Sequence, residues 1–371
     1  MLVLAGDGDM SRTTDRRGGQ GGSLRVVVVD DSAFMRGLIT DLLDDAGVTV
    51  VGEAGDGAEA LDVVAETRPD VVTMDVEMPG MGGLEAVKRI MDETPTPVLM
   101  LSAHTDDGAE VTFEALERGA VDFFAKPGGE VSAGVSRESE RLVEAVRSVA
   151  DADLDAATRD GASEREATGT ATETSKTESV DLDDPVTVVI GASTGGPNAV
   201  ERVLASLPTG DCRVLVVQHM PEAFTSRFAD RLDGVSAYEV REASDGDRIG
   251  AGEALVARGG SHLEVGSYRA GRLRVNLVDD DSTSVTPAVD VTMRSAAETV
   301  DDPLVGVILT GMGSDGSAGI RAMSDAGART MIQSEDTCVI YGMPKRAAET
   351  GAIDAVHDLD DVAGAILGGE A

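Results

Sequence analysis

The stretch TVVIGASTGGPN, residues 187–198, is a run of apolar, mostly β-branched residues that leads into glycines around Ser193. β-Branched residues favour strands, and clustered glycines favour a tight turn. The residues that follow, 196–207, are expected to form a helix. A strand that passes through a glycine-rich turn into a helix is a unit of an α/β fold, and its turn either cradles a phosphate or exposes a nucleophile.

The same alternation of apolar strands and amphipathic helices continues on both sides of a polar segment. This segment, residues 151–184, holds eleven acidic and three basic residues and almost no apolar periodicity, which is typical of a solvated linker. Strands that alternate with helices predict parallel sheets covered by helices on both faces. The chain is therefore predicted to be two doubly wound α/β domains, divided as a disordered leader (1–23), a first domain (24–148), an acidic linker (149–184) and a second domain (185–371).

The charge is strongly acidic throughout, with 68 acidic and 31 basic residues and a formal net charge of −37. Such a self-repelling surface is suited to concentrated salt, so a halophilic source is expected, and binding to nucleic acid is not. No apolar run reaches the roughly 20 residues of a membrane span, and the N-terminus does not resemble a secretory signal. With only two cysteines, Cys212 and Cys338, a disulfide is not expected, and a cytoplasmic location is predicted.

Polar side chains follow the apolar strands of the first domain at the points where those strands end. A single acid in such a place is ordinarily a helix cap, but the carboxyl ends of parallel strands meet at one edge of a sheet. Three acids there favour Mg²⁺, and a lysine and a hydroxyl can bind phosphate oxygens. The residues that form this predicted cluster are Asp30, Asp31, Asp75, Ser102 and Lys126.

The motifs VVVVDDSAFMR, VVTMDVEMPGMGGLEA, LMLSA and FFAKP carry this cluster, and in this order they resemble the receiver domain of response regulators. The resemblance implies a flavodoxin-like fold in which Asp75 accepts a phosphoryl group from a histidine kinase. It implies that Asp30, Asp31, Asp75 and the carbonyl of Glu77 hold Mg²⁺, and that Lys126 pairs with the phosphate. It also implies that Ser102 and Phe123 shift on phosphorylation; since Phe123 has no hydroxyl, its change would be the burial of a ring.

Three interpretations of the Ser193 turn compete. The Ser193 hydroxyl can cap the following helix, the turn can bind a phosphate, or Ser193 can be a nucleophile. The dinucleotide pattern G-x-G-x-x-G and the Walker lysine are both missing. Residues 191–195 instead read G-x-S-x-G between a strand and a helix, which is the context of a nucleophile elbow.

A nucleophilic serine needs a base, and the chain has four histidines. His104 lies in the first domain, and His262 follows a glycine pair in a predicted loop. His219 ends an apolar strand beside the Ser193 strand, where a base is required. Asp315 follows another apolar strand, in LVGVILTGMGSDGSAG, and could orient the imidazole. A base at His357, in the order Ser–Asp–His of α/β-hydrolases, is the alternative assignment.

The second half carries GASTGGPNAV, VVQHMP, ARGGSHLEV, TGMGSDGSAGI and CVIYGMPKRA, which look like the catalytic domain of chemotaxis protein-glutamate methylesterases. By this resemblance Ser193 is the nucleophile, His219 the base and Asp315 the orienting acid. The backbone N–H groups of Thr194 and Met312 would form the oxyanion hole.

The two resemblances together imply a phosphorylation-regulated serine esterase that demethylates glutamate methyl esters of chemoreceptors and deamidates receptor glutamines. Its partners would be methyl-accepting chemoreceptors and a chemotaxis histidine kinase. Mg²⁺ would belong to the receiver, and the esterase domain would need no metal. The fused arrangement also predicts that the receiver covers the Ser193 site until it is phosphorylated. The alternative is a signalling module whose second domain only binds partners.

Overall fold

The computed structural model describes residues 23–102, 106–126, 135–154, 156, 185–208, 210, 212–280 and 283–368. The predicted leader except Ser23, most of the predicted linker (155 and 157–184) and His104 lie outside these residues. None of the helices within these ranges is long and apolar enough to cross a bilayer.

The first domain has one sheet of five parallel strands in the order β2-β1-β3-β4-β5, as a doubly wound fold requires. Its strands are rich in valine because both faces of the sheet are covered by helices. Its elements are β1 (Arg25–Val29), α1 (Ala33–Asp45), β2 (Thr49–Ala54), α2 (Gly57–Thr67), β3 (Val71–Asp75), α3 (Gly83–Glu93), β4 (Val98–Ser102), α4 (Asp106–Glu117), β5 (Asp122–Ala125) and α5 (Val135–Ala150).

Helices α1 and α2 begin where the sequence offers a capping side chain. The Ser32 hydroxyl accepts the Met35 N–H at 3.4 Å. The Asp56 carboxylate accepts the N–H groups of Ala58 at 2.8 Å and Glu59 at 3.0 Å. Each cap satisfies N–H groups that have no partner inside the helix, so the loops after β1 and β2 end at defined residues.

The second domain is built on seven parallel strands in the order β15-β14-β13-β6-β7-β10-β8. The order reverses at β6, which lies between β13 and β7, so the loop after β6 opens into the crevice where such sheets bind ligands. The strands of this sheet and the helices that connect them are β6 (Val186–Ala192), α6 (Gly196–Ser206), β7 (Cys212–Gln218), α7 (Glu222–Val235), β8 (Glu239–Glu242), β10 (Glu253–Val256), α8 (Val289–Thr299), β13 (Leu304–Ile308), α9 (Ser317–Asp325), β14 (Arg329–Gln333), α10 (Met343–Glu349), β15 (Ala355–His357) and α11 (Leu359–Ile366).

A separate three-stranded sheet departs from the predicted parallel alternation. It contains β9 (Arg248–Ile249), β11 (His262–Arg269) and β12 (Arg272–Val278), paired antiparallel in the order β11-β12-β9. The segment after β11 is the two-residue turn Ala270–Gly271, in which both residues have positive φ. Such a turn joins antiparallel neighbours, so the strand at Arg272–Val278 cannot belong to the parallel sheet.

The two domains pack against each other through aromatic rings on α4, β5 and α7. The ring of Phe113 stacks on Phe228 with centroids 5.9 Å apart, and Phe123 lies 4.5 Å from Phe224. All four rings are buried. The Arg231 guanidinium on α7 binds Glu117 of α4. The chain holds six phenylalanines, and this contact uses four of them.

Candidate active site

The predicted acidic cluster of the first domain forms at the carboxyl edge of its sheet. Asp30 follows β1, Asp75 ends β3, and oxygens of Asp30, Asp31 and Asp75 all lie within 4.8 Å of one another. The Lys126 ammonium lies 2.7 Å from an oxygen of Asp30 and 2.7 Å from an oxygen of Asp75. One lysine against three carboxylates leaves excess negative charge, and the donors are oxygens, so the residues fit a Mg²⁺ ion.

Burial determines how the nucleophile candidate Asp75 titrates. Removal from water, the largest effect, raises the pKa of Asp75, and the neighbouring charge of Asp30 adds to it. Together these two effects outweigh the lowering of the pKa by Lys126 and by the Glu77 N–H. The pKa of Lys126 is also raised: burial lowers it, but its contacts with Asp30 and Asp75 outweigh that effect. The Glu77 N–H approaches the Asp75 carboxylate at 3.4 Å, which places the predicted fourth ligand residue beside the cluster.

The predicted switch residues lie between this cluster and the second domain. Ser102 is buried at the end of β4, and Phe123 is buried in β5, the neighbouring strand. The Phe123 ring contacts Phe224 of α7, so its burial already involves the other domain. Ser102 and the Phe123 ring therefore lie on neighbouring paired strands.

Ser193 lies where the sequence predicts, between β6 and α6 at the reversal point of the second sheet. Its N–H donates to the Thr310 carbonyl at 3.1 Å, and its carbonyl accepts the Gly196 N–H at 2.7 Å. Gly195 has φ +73°, and a Cβ there would lie 2.7 Å from the Cβ of Val339. The turn is tight because both the backbone angle and the space require glycine.

His219 and Asp315 form a hydrogen-bonded pair in the same crevice. The His219 Nε2 lies 2.8 Å from an Asp315 oxygen. Burial acts to raise the pKa of Asp315, but hydrogen bonds from His219 and from the N–H groups of Asp290 and Val289 outweigh it, so the pKa is lowered. The lowered pKa keeps the carboxylate ionised, so it accepts a hydrogen bond from Nε2 of His219, and Nδ1 is the ring nitrogen left for a base to use.

Ser193, His219 and Asp315 line one cleft of about 470 Å³, together with Thr194 and Met312. Within the described residues no hydrogen bond joins the Ser193 hydroxyl to His219. Catalytic hydrogen bonds are often loose before substrate binds, so this geometry is compatible with a nucleophile and base. No partner within the described ranges engages the backbone N–H groups of Thr194 and Met312, so both remain available to an oxyanion.

The first domain covers this cleft. Its residues at 122–125 on β5, and Arg141 and Glu144 on α5, line the same cavity as Ser193. The Asp122 carboxylate faces the Thr194 hydroxyl and His219, and accepts the Phe123 N–H at 2.8 Å. Burial raises the pKa of Asp122 to about 6, against the opposing effects of Phe123, Thr194 and His219.

The other described histidines lie outside the cleft. His357 ends the edge strand β15, which β14 and β13 separate from β6. The alternative order Ser–Asp–His therefore lacks support from the structure. The glycine pair Gly259–Gly260 lies in a turn, as predicted, and His262 follows it as the first residue of β11 and is 1% exposed. Cys212 and Cys338 are both buried.

Comparison with known proteins agrees with both resemblances. The profile of the CheB methylesterase family matches residues 188–366, and that of the response regulator receiver domain matches residues 26–132. A protein-glutamate methylesterase/protein-glutamine glutaminase of Haloarcula marismortui is 56% identical over 93% of this chain and 97% of its own length. The chain belongs to this family. Relatives with the same name from Halobacterium salinarum and Archaeoglobus fulgidus are 56% and 41% identical, over 92% and 93% of this chain and 96% and 97% of their own lengths.

The catalytic domain of the CheB methylesterase of Thermotoga maritima is a similar solved structure, 36% identical, with a TM-score of 0.48, covering 50% of this chain and 99% of its own. Halophilic sources among the family relatives agree with the expectation drawn from the charge of −37.

Sequence reasoning missed the residues through which the two domains meet. Asp122, Phe224 and Phe228 stand in no motif that signals an interface, and Asp122 is one acid among 68. The signal that could have found the Phe123–Phe224 contact is the scarcity of aromatic residues, which make up 2% of the chain. Large aromatic side chains contribute much of the buried area of cores and interfaces, so the few that are present are candidates for such a contact.

Proposed function

We propose that this chain is a serine esterase that demethylates glutamate methyl esters of chemoreceptors and deamidates receptor glutamines, under the control of its receiver. The observation that carries the proposal is the His219–Asp315 pair in the cleft that Ser193 lines. The names of the relatives support the same two reactions.

In the proposed reaction, the Ser193 hydroxyl attacks the side-chain carbonyl while Nδ1 of His219 takes its proton. The imidazolium that forms is stabilised by the ionised Asp315 carboxylate. The N–H groups of Thr194 and Met312 hold the oxyanion. His219 then returns the proton to the leaving group, which is methanol from an ester or ammonia from glutamine. Water hydrolyses the acyl-enzyme by the same route and leaves glutamate.

Methanol release from methylated receptor membranes tests the catalytic roles. Ser193→Ala and His219→Ala should each abolish release, and a fluorophosphonate probe should label neither variant. Ser284→Ala is the matched control, because Ser284 lines the same cleft without an assigned role. If the wild-type chain binds receptors but is not labelled by the fluorophosphonate probe, the alternative of a second domain that only binds partners would be supported.

Regulation is proposed to act by uncovering the cleft. Phosphorylation of Asp75 by a chemotaxis histidine kinase adds close to two negative charges beside Lys126 and Ser102. Because Ser102 pairs with Ala125 on β5, a shift at Ser102 reaches Phe123, whose ring packs on α7. Release of this contact would expose Ser193. Phosphoryl transfer from such a kinase would take place in the cytoplasm, which supports a cytoplasmic location for this chain.

Two manipulations test this control. Asp75→Asn should leave the basal rate unchanged and remove the response to a phosphodonor, whereas Asp41→Asn, on an exposed face of α1, should respond normally. Mg²⁺ would be held by Asp30, Asp31, Asp75 and the Glu77 carbonyl, and would supply charge neutralisation for the phosphoryl group. Chelation should therefore abolish activation without lowering basal methanol release.

A further inference from the structure

His262 is buried beside the loop that leads into α8, outside the catalytic cleft. The Ala288 N–H donates to Nδ1 of His262 at 3.1 Å. Nε2 lies 2.9 Å from the Asp280 carbonyl and 3.2 Å from the Thr283 hydroxyl. Since a carbonyl only accepts, Nε2 carries the proton and Nδ1 presents its lone pair to Ala288. The ring is a neutral imidazole with both nitrogens in use.

Ala288 stands directly before α8, whose first two N–H groups hold the orienting carboxylate. The Val289 N–H donates to Asp315 at 2.6 Å, and the Asp290 N–H donates at 3.0 Å. The oxygen that Val289 binds is the one that His219 Nε2 contacts at 2.8 Å. Consecutive peptide units therefore connect Nδ1 of His262 to the His219–Asp315 pair.

The rest of α8 is held independently of His262. The Thr292 hydroxyl donates to the Leu263 carbonyl at 2.7 Å, and the Ser295 hydroxyl accepts the Val265 N–H at 2.9 Å. Loss of the histidine would thus free only the first residues of the helix and the loop before it. Ser284, Val285 and Thr286 of that loop line the cleft.

We propose that His262 is a positioning residue for the esterase reaction: its Nδ1 fixes the start of α8, and this start fixes Asp315 and the ring of His219. The proposal rests on the roles proposed above for Ser193, His219 and Asp315. His262 neither accepts a proton from the substrate nor donates one to it during the reaction. A displacement of about 1 Å at catalytic groups can cost about a hundredfold in rate, so a small shift of α8 is sufficient to matter.

Two substitutions separate positioning from simple packing, because each keeps a different half of the ring's hydrogen bonding. His262→Asn puts an amide oxygen near the position of Nδ1 and can still accept from Ala288. His262→Gln puts an amide nitrogen near the position of Nε2 and can still donate to Asp280. His357→Asn is the control, since His357 lies on the edge strand.

The readouts are kcat and KM for methanol release, the rate of fluorophosphonate labelling, and the melting temperature of the full chain in molar KCl. We expect His262→Asn to keep kcat within about threefold, and His262→Gln to lose about 10- to 100-fold in kcat and in labelling rate with KM unchanged. Equal losses in both variants that follow their melting temperatures, or no loss in either, would overturn the proposal.

The wild-type protein provides a second test if neither variant folds. Slow hydrogen exchange at the amides of residues 288–290 and an Nε2-protonated His262 ring by NMR would support the positioning role of His262. Rapid exchange at these amides would refute it. Failure of the proposed function is distinguishable, because the wild type would then release no methanol and the probe would not label Ser193.

Discussion

The contact between Asp122 and the cleft allows the covering role of the receiver to be measured with a single substitution. Burial raises the pKa of Asp122 from 3.8 to about 6. This rise in pKa corresponds to ~3 kcal/mol, as an upper limit on the cost of keeping this carboxylate charged in the docked state near pH 7. Asp122→Asn removes the charge and can keep the hydrogen bond from the Phe123 N–H. We therefore expect tighter docking, and basal methanol release lower by up to about a hundredfold.

The pH dependence follows from the same shift. A carboxyl whose pKa is raised in the docked state favours docking fully below pH 3.8, where it is protonated in both states. That contribution is lost as the pH rises through about 6. The ratio of wild-type to Asp122→Asn basal rates should therefore rise about tenfold between pH 5 and pH 7.

The assay is methanol release by the full chain from methylated receptor membranes, in molar KCl and without a phosphodonor. Asp62→Asn is the control, because Asp62 is an exposed receiver acid away from the cleft. An Asp122→Asn basal rate equal to or above that of the wild type, with a ratio flat in pH, would refute the reasoning. It would mean that the receiver does not cover Ser193 in solution.

Three further predictions concern the same machinery. Deletion of residues 1–184 should raise basal methanol release without any kinase; a folded fragment no faster than the unphosphorylated whole would exclude covering by the receiver. Asp315→Asn should lower the fluorophosphonate labelling rate at least a hundredfold while leaving a residual rate, because the amide no longer stabilises the imidazolium; full activity would exclude its orienting role. The melting temperature should rise between about 0.1 M and several molar KCl, because the Debye length falls from ~10 Å to below ~3 Å and screens a net charge of −37; a flat curve from calorimetry would contradict that reading.

The local elements of both domains could be predicted from the sequence. Strands, glycine turns and helices depend on near neighbours along the chain, so the ends of β1, β3 and β6 were placed correctly. The acidic cluster followed from this, because parallel strands bring their carboxyl ends to one edge whatever their order. The nucleophile and base candidates lie on β6 and β7, which are consecutive in the chain and adjacent in the sheet.

Strand order decided what the pattern left open. His219 directly follows β7, and His357 ends β15, but β7 neighbours β6 whereas β15 lies at the sheet edge. Such an order depends on crossovers between distant segments. The burial of His262 against the residues before α8 and the contact of Asp122 with Thr194 depend on the same long-range packing. Neither contact produces a periodic pattern in the sequence, because each joins a single side chain to a single partner more than 20 positions away. Only the tertiary structure could therefore place the acid of one domain over the active site of the other.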